Sequence, residues 1–261
     1  AMLCSTRNNE LAAINIEEIH RKAKDLFDDV TLWHDKEYMK VIFDEVRICA
    51  ENGDAECMNA MGLFYIKGIL QGKCYKEALA WFKLAAEHGF SRSARNLALM
   101  YARGLGIEKN MSLAIEIINK IKECDAPIYY LSLGEIEKMT GRHEAAFENF
   151  RIAAELGKAR AKYFYGTYLL KGVCCGKNIM LGVKNIRSAA KEGIALACLL
   201  LARFHEKGFM EGGVEQSNTL AVKNYKSAAR NCSVKAQKRL AEIYRNGILG
   251  VSIDQKESFK W

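Results

Sequence analysis

Residues 57–89 read CMNAMGLFYIKGILQGKCYKEALAWFKLAAEHG. Met61-Gly62, Tyr65 and Gly68 fall at helical spacing before a short loop. Lys76-Glu77-Ala78, Trp81, Ala85-Ala86 and Gly89 then repeat that spacing, which predicts two helices joined by a turn. Glycine suits the helix exit because it enters left-handed backbone without the steric cost of a Cβ. The small residue Gly62 sits where the partner helix has to approach closely.

Working outward, the spacing returns down the chain. Positions equivalent to Cys57 are Ser93, Tyr129, Ala161, Ala197 and Ala236, at intervals of 36, 36, 32, 36 and 39 residues. Leu97-Ala98, Leu133-Gly134, Tyr165-Gly166, Leu201-Ala202 and Leu240-Ala241 echo Met61-Gly62, and Ala153-Ala154, Ala189-Ala190 and Ala228-Ala229 echo Ala85-Ala86. A period near 35 residues with two short helices per unit is the mark of an all-α solenoid of α/α repeats. Residues 54–261 read as six such units. The third is shortened, with twelve residues from Gly134 to Ala146 where Gly62 to Ala78 has sixteen, and the last is truncated at Trp261, the position matching Trp81. The Leu97 unit lacks the alanine pair.

Upstream, Ile16, Ile19, Ala23, Leu26 and Phe27 predict a helix led by Glu17-Glu18, whose charge suits a helix N-terminus. Val41, Ile42, Val46 and Cys49 predict a second helix ending at Gly53. Residues 16–53 are therefore an atypical N-terminal helical pair, and 1–15 a frayed start.

With 50% hydrophobic and 27% charged residues the chain has an ordinary globular composition, and its single proline, Pro127, leaves helices uninterrupted. No run of 18 apolar residues occurs, so no membrane span is expected. Residues 1–53 hold seven Lys/Arg against eleven Asp/Glu, a charge of −4; since the whole chain carries +8, the remaining 208 residues carry +12. An acidic leader thus precedes a basic body. Nine cysteines show neither Cys-x-x-Cys nor a Cys/His set with zinc spacing, so no metal and no cofactor is expected, and the thiols read as small reduced core residues. Met2 follows Ala1 with no apolar leader: a cytoplasmic location is expected if Met2 is the natural start, and a secreted or periplasmic one stays open if the sequence was trimmed.

Catalytic signals are weak. Gly172-Val173-Cys174-Cys175-Gly176-Lys177 has three residues between its glycines where a phosphate loop needs four, lacks the Ser/Thr for magnesium and follows a helix instead of a strand. His20, His34, His88, His143 and His205 are scattered, with no His-Glu-x-x-His and no pairing with a nucleophile; His205, at the repeat tyrosine position, reads as a packed histidine. No enzyme is expected.

The pattern Ala/Cys-x-x-x-Leu-Gly-x-x-Tyr-x-x-Gly, then Lys-x-Ala-x-x-Trp-x-x-x-Ala-Ala-x-x-Gly, resembles the Sel-one-like repeat family, a relative of tetratricopeptide repeats, over about residues 41–261. The resemblance implies a right-handed, tetratricopeptide-like superhelix that binds partners along a concave face lined by the first helices. Carried over by register, the candidate partner-binding residues are Leu63, Lys67, Arg92, Arg95, Leu99, Arg103, Lys138, Arg160, Tyr163, Lys171, Arg203, Lys207, Lys235, Lys238 and Arg245. With Glu56, Asn59, Ile66, Leu131, Glu135, Thr167, Leu199, Glu206 and Glu242, that face holds twelve basic and four acidic residues. Guanidinium groups favour carboxylates, and Leu63, Leu99 and Tyr163 would serve as apolar anchors. Secreted members of the family carry a cysteine pair between units; Cys49 and Cys57 are shifted one position from it, and a reduced thiol pair is expected.

The expected function is a non-catalytic protein-protein interaction module or adaptor holding an acidic peptide or protein segment in a basic groove. The resemblance also implies an alternative, a bacterial immunity or virulence-associated protein with a dedicated toxin or host partner. A nucleic-acid-binding solenoid is a further alternative that the net charge suggests, but no recognised motif or stacking row accompanies it. The oligomeric state is not indicated.

Overall fold

The computed structural model describes residues 15–261, so the frayed start expected over 1–15 lies almost wholly outside the described residues. The described chain is helical from end to end. Helices α1 (Ile16–Asp28) and α2 (Lys36–Glu51) are joined by a short 3-10 helix, Val30–His34. Six pairs follow: α3 (Ala55–Lys67) with α4 (Tyr75–Glu87), α5 (Ser91–Arg103) with α6 (Met111–Asn119), and α7 (Ala126–Met139) with α8 (His143–Glu155). They continue as α9 (Ala159–Lys171) with α10 (Ile179–Lys191), α11 (Ala195–Lys207) with α12 (Asn218–Arg230), and α13 (Val234–Asn246) with α14 (Gln255–Lys260). This is the all-α solenoid that the periodicity predicts.

Several boundaries have a local cause. Asp54 caps α3 by accepting the Cys57 amide at 2.7 Å, and Asn110, Asp125 and Asn178 cap α6, α7 and α10 in the same way. Gly68 ends α3 at φ +71°, left-handed backbone that an L side chain rarely adopts. Within the pair, a Cβ on Gly62 would lie 2.4 Å from the ring of Phe82, so only glycine lets α4 seat this closely.

The irregular units have physical explanations too. Only residues 140–142 separate α7 from α8, against 68–74 between α3 and α4, which is the shortening seen in the third unit. Helix α6 stops at Asn119, short of where other units place the alanine pair, and Ile121 is buried beyond it. The 39-residue interval is taken up by the loop 208–217, where Phe209 and Val214 form an isolated bridge and Phe209 stacks on Phe204 at 4.6 Å.

The core runs along the solenoid as a string of clusters instead of one centre. Leu26, Ile42, Met61 and Phe64 bury the N-terminal pair against the first unit, and Phe82, Phe150, Ile186 and Leu240 are fully buried further on. Burying such a side chain stabilises by about 1.5–3 kcal/mol, and each cluster spans neighbouring helices, so no unit is stable alone. One contact is long-range. The end of α1 and the 3-10 helix meet α12 and the residues just after it, where Cys232 Sγ lies 3.8 Å from the Phe27 carbonyl.

Candidate partner-binding surface

The first helices share one feature at their ends. The last turns of α3, α5, α7, α9, α11 and α13 carry Lys67, Arg103, Lys138, Lys171, Lys207 and Arg245. A cation there complements the negative end of the helix dipole, so each helix favours its own. Repetition then stacks them into a row, one per unit. Partial burial and then the charge of Lys171 lower the Lys138 ammonium below its usual range, so these two rungs sense each other.

Lys67 departs from the row. Its Nζ donates to the Phe27 carbonyl at 2.8 Å, stands over the Phe27 and Trp33 rings at 5.2 and 5.8 Å, and lies 3.9 Å from Cys232 Sγ. Burial lowers its ammonium. Its charge is spent in the seam between the N-terminal pair and α12, not on an open surface.

Three arginines expected on the face are also engaged. Arg95 Nη2 and Arg160 Nε donate to the two oxygens of Glu135 at 2.5 and 2.7 Å, and Glu135 is only 4% exposed. Burial alone would raise the Glu135 carboxyl, but the two guanidiniums outweigh it and hold the group below the usual carboxylate range. Arg92 Nη1 lies 3.7 Å from Glu56 Oε1. Arg160 and Lys138 additionally stand over the Phe164 ring, at 5.5 and 4.6 Å.

The expected anchors divide. Leu99 is packed into the core near Ala102 and Ile136 and is 8% exposed, so it has no surface to offer a partner, contrary to the expectation from register. Leu63 and Tyr163 are half-buried; Leu63 lines an open cleft of about 270 Å³ between α1 and α3 together with Ala23, Phe27 and Arg92. Arg103, Lys138, Lys171, Arg203, Lys207, Lys235, Lys238 and Arg245 are exposed, and among the described residues none of the eight forms an ion pair within 4 Å.

The acidic residues of the face are all occupied. Glu56 and Glu135 are paired as above, Glu206 receives Arg239 and the Tyr225 hydroxyl, and Glu242 receives Arg239 at 2.9 Å. Burial, then the bond to Glu206, pushes the Tyr225 hydroxyl well above its ordinary range. The exposed cations therefore have no ion-pair partner within 4 Å among the described residues, although Lys138 lies in the field of Glu135 and Lys207 in that of Glu206.

Two polar groups escaped the sequence reading. Asn59 Oδ1, buried, accepts from Ser93 Oγ at 2.9 Å and from Asn96 Nδ2 at 3.1 Å, joining the first two units. The second lies where α1 crosses the α2–α3 junction: His20 Nε2 is 2.9 Å from Asp54 Oδ1, and its Nδ1 is 3.6 Å from Glu56 Oε2. Cys49 and Cys57 are free, buried thiols beside them, and the four side chains His20, Cys49, Asp54 and Cys57 each bring a donor atom within 4.8 Å of the others. Several of these pairings join residues about one repeat apart, 34 positions for Ser93 and Asn59, 34 for His20 and Asp54, 40 for Arg95 and Glu135 and 33 for Arg239 and Glu206, whereas Arg160 reaches Glu135 over 25 positions. Complementary groups one period apart were thus the available signal.

The Sel1 repeat matches six segments, residues 55–90, 91–120, 129–158, 159–194, 195–231 and 234–261. The chain belongs to the Sel1 repeat family, whose repeats form protein-interaction modules. Among solved structures it is similar to a Sel1 repeat protein from Oxalobacter formigenes, with 28% identity over 87% of this chain and 97% of that one and a TM-score of 0.58. A protective antigen of uropathogenic Escherichia coli is 24% identical over 88% of this chain and 49% of that one, with a TM-score of 0.50. An immunity protein from Pseudomonas aeruginosa is 21% identical over 79% of each chain, with a TM-score of 0.60. Among curated proteins, none matches this sequence. No described helix is long and apolar enough to cross a membrane.

Proposed function

We propose that this Sel1 repeat chain is a non-catalytic binding module that holds an acidic peptide or protein segment along the row of cations at the ends of its first helices. The observation that carries the reading is the mismatch in occupancy. All four acidic residues of the face are neutralised within the chain, while eight exposed Lys and Arg side chains have no ion-pair partner among the described residues. Carboxylates spaced along an extended segment would complete these pairs, with Tyr163 and Leu63 as partly exposed apolar contacts.

The structure of the charge network selects the variants. Arg95 and Arg160 belong to the Glu135 cluster, so reversing them would damage the fold as well as the surface. Lys138→Glu, Lys171→Glu and Lys207→Glu together remove none of the ion pairs of that cluster, although Lys138 shares the Phe164 ring with Arg160. With a labelled polyglutamate peptide read by fluorescence anisotropy, the wild-type chain should bind, weaken steeply as salt rises, and lose binding in the triple variant. A triple variant with wild-type affinity removes the row from the interface. An oligonucleotide bound more tightly than the peptide at equal salt would favour the nucleic-acid alternative instead. A dedicated toxin as the partner is a narrower form of the same reading, tested by whether capture of that toxin depends on these three lysines.

A further inference from the structure

We infer that His20, Cys49, Asp54 and Cys57 form a structural zinc site that fastens α1 to the α2–α3 junction. The donors come from three elements: His20 from the second turn of α1, Cys49 from the last turn of α2, Asp54 from the capping position of α3 and Cys57 from its first turn. The donor atoms lie within 4.8 Å of one another. In a tetrahedral zinc site with Zn–S near 2.3 Å and Zn–N near 2.0 Å, neighbouring donors stand about 3.3–3.8 Å apart, so closure requires a contraction of roughly 1 Å. Two thiolates with an imidazole and one carboxylate are a set suited to zinc, not to magnesium or calcium, which prefer oxygen throughout.

The surroundings fit as well. Cys49 and Cys57 are 4% and 1% exposed, which suits a closed structural centre and leaves no room for a substrate at Cys57. His20 would ligate through Nε2, the nitrogen that now faces Asp54, while its Nδ1 already faces the Glu56 carboxylate at 3.6 Å. A carboxylate behind a ligating imidazole fixes the ring's orientation and tautomer. Arg92 in turn lies 3.7 Å from Glu56, which holds that carboxylate toward the site. His20, Glu56 and Cys57 also line the open cleft of about 270 Å³, which supplies a route of access for the ion. On binding, each thiol releases one proton and the metal receives the two thiolates, the carboxylate and a neutral imidazole.

A Cys49–Cys57 disulfide would engage the same sulfurs but would leave the approach of His20 to them without a role, since Asp54 already stands there as the cap of α3. The zinc reading accounts for all four side chains and for Glu56. It also gives α1 a firm hold one turn and more before Phe27, whose carbonyl meets Lys67 and Cys232.

The test uses the full chain, reduced and stripped of metal, titrated with cobalt(II) as a spectroscopic substitute and with zinc in competition with a chromophoric chelator. One equivalent of cobalt should produce intense thiolate-to-metal charge-transfer absorption with tetrahedral ligand-field bands, and zinc should displace it. Cys57→Ser should lose most of the charge-transfer intensity. Glu56→Gln keeps the side-chain volume and removes only a half-exposed carboxylate whose pairs with His20 and Arg92 are long, so folding is preserved, and it should weaken zinc binding by about 10–100-fold. Absence of thiolate-to-cobalt absorption in the reduced, folded chain would overturn the site, as would zinc affinity unchanged in both Glu56→Gln and His20→Ala. A persistent loss of two hydrogens from the intact mass after reduction, located at Cys49 and Cys57, would assign the sulfurs to a disulfide and also overturn it.

Discussion

Replacing Glu135 by Gln removes one negative charge from between two guanidiniums while keeping the side-chain volume. Glu135 is 4% exposed and Arg95 18%, so the substitution leaves the Arg95 charge buried with no carboxylate, and Arg95 Nε already lacks a hydrogen-bond partner. Removing one member of a buried pair costs about 3–5 kcal/mol, and Gln retains one acceptor, which places Glu135→Gln near the lower end at roughly 3 kcal/mol. Arg160 is 40% exposed and adds little, because water screens it. For a chain of this size the loss corresponds to a melting point lower by roughly 6–12 °C. Because the Glu135 carboxyl is held below its ordinary 4.5, its contribution is full above that pH in the wild type and disappears as the pH falls through the lower folded value. Urea unfolding at neutral pH should therefore show the full gap between wild type and Glu135→Gln, and the gap should close in acid below about pH 4.5. A gap under roughly 0.5 kcal/mol at neutral pH, or one that persists unchanged in acid, would refute the buried cluster as the link between the second, third and fourth units. The double variant Arg95→Met with Glu135→Met removes both buried charges and should recover most of the loss.

Gly62→Ala puts a methyl group against the fully buried Phe82 ring and should cost about 1–3 kcal/mol, whereas Gly72→Ala, with no atom within 4 Å of the added Cβ, should be close to neutral in thermal unfolding. Lys67→Ala removes a charged donor from the Phe27 carbonyl and should cost about 1.5–3 kcal/mol locally, seen as faster amide exchange in the 3-10 helix 30–34 and at the end of α12 that it meets, with the helices between them unchanged. Neutralising Lys138, Lys171 and Lys207 to Gln should lower stability by only about 0.3–1 kcal/mol per helix end, while the salt dependence of polyglutamate binding flattens.

The architecture was legible because a repeat states the same instruction several times. The Met61-Gly62 type of pair, the exit glycine and the alanine pairs recur in register, so a substitution in one unit, such as the lost pair near Ile121, does not hide the rule. The surface was legible only as a set of positions. Register placed Arg95 and Arg160 on the face but could not show that Glu135 engages both, since that depends on side-chain reach across two unit boundaries. Leu99 failed as an anchor for a related reason: a position facing the groove by helical register can still be covered when its neighbours, Ala94 and Ala102, are small and let the helices close over it. Lys67 was invisible as a seam residue because its contact, Cys232, is 165 positions away and obeys no repeat interval.

The helix dipole accounts for each cation in the row separately but not for the composition of the face around it. A cation at a helix C-terminus is favoured whether or not acids stand nearby, and exposed solenoid surfaces ordinarily intersperse both signs to limit self-repulsion. Here Glu56, Glu135, Glu206 and Glu242 are the acids of the face, and Arg92, Arg95, Arg160 and Arg239 draw all four into ion pairs. The result is a surface in which internal pairing removes the negative groups and leaves Arg103, Lys138, Lys171, Lys207 and Arg245 as successive exposed charges. Repulsion along such a row is an energetic cost to the free chain: burial is the main reason the Lys138 ammonium is lowered, and the charge of Lys171 adds to it. An acidic segment laid along the row relieves that cost at every rung, so affinity gains both from the new pairs and from the repulsion they cancel.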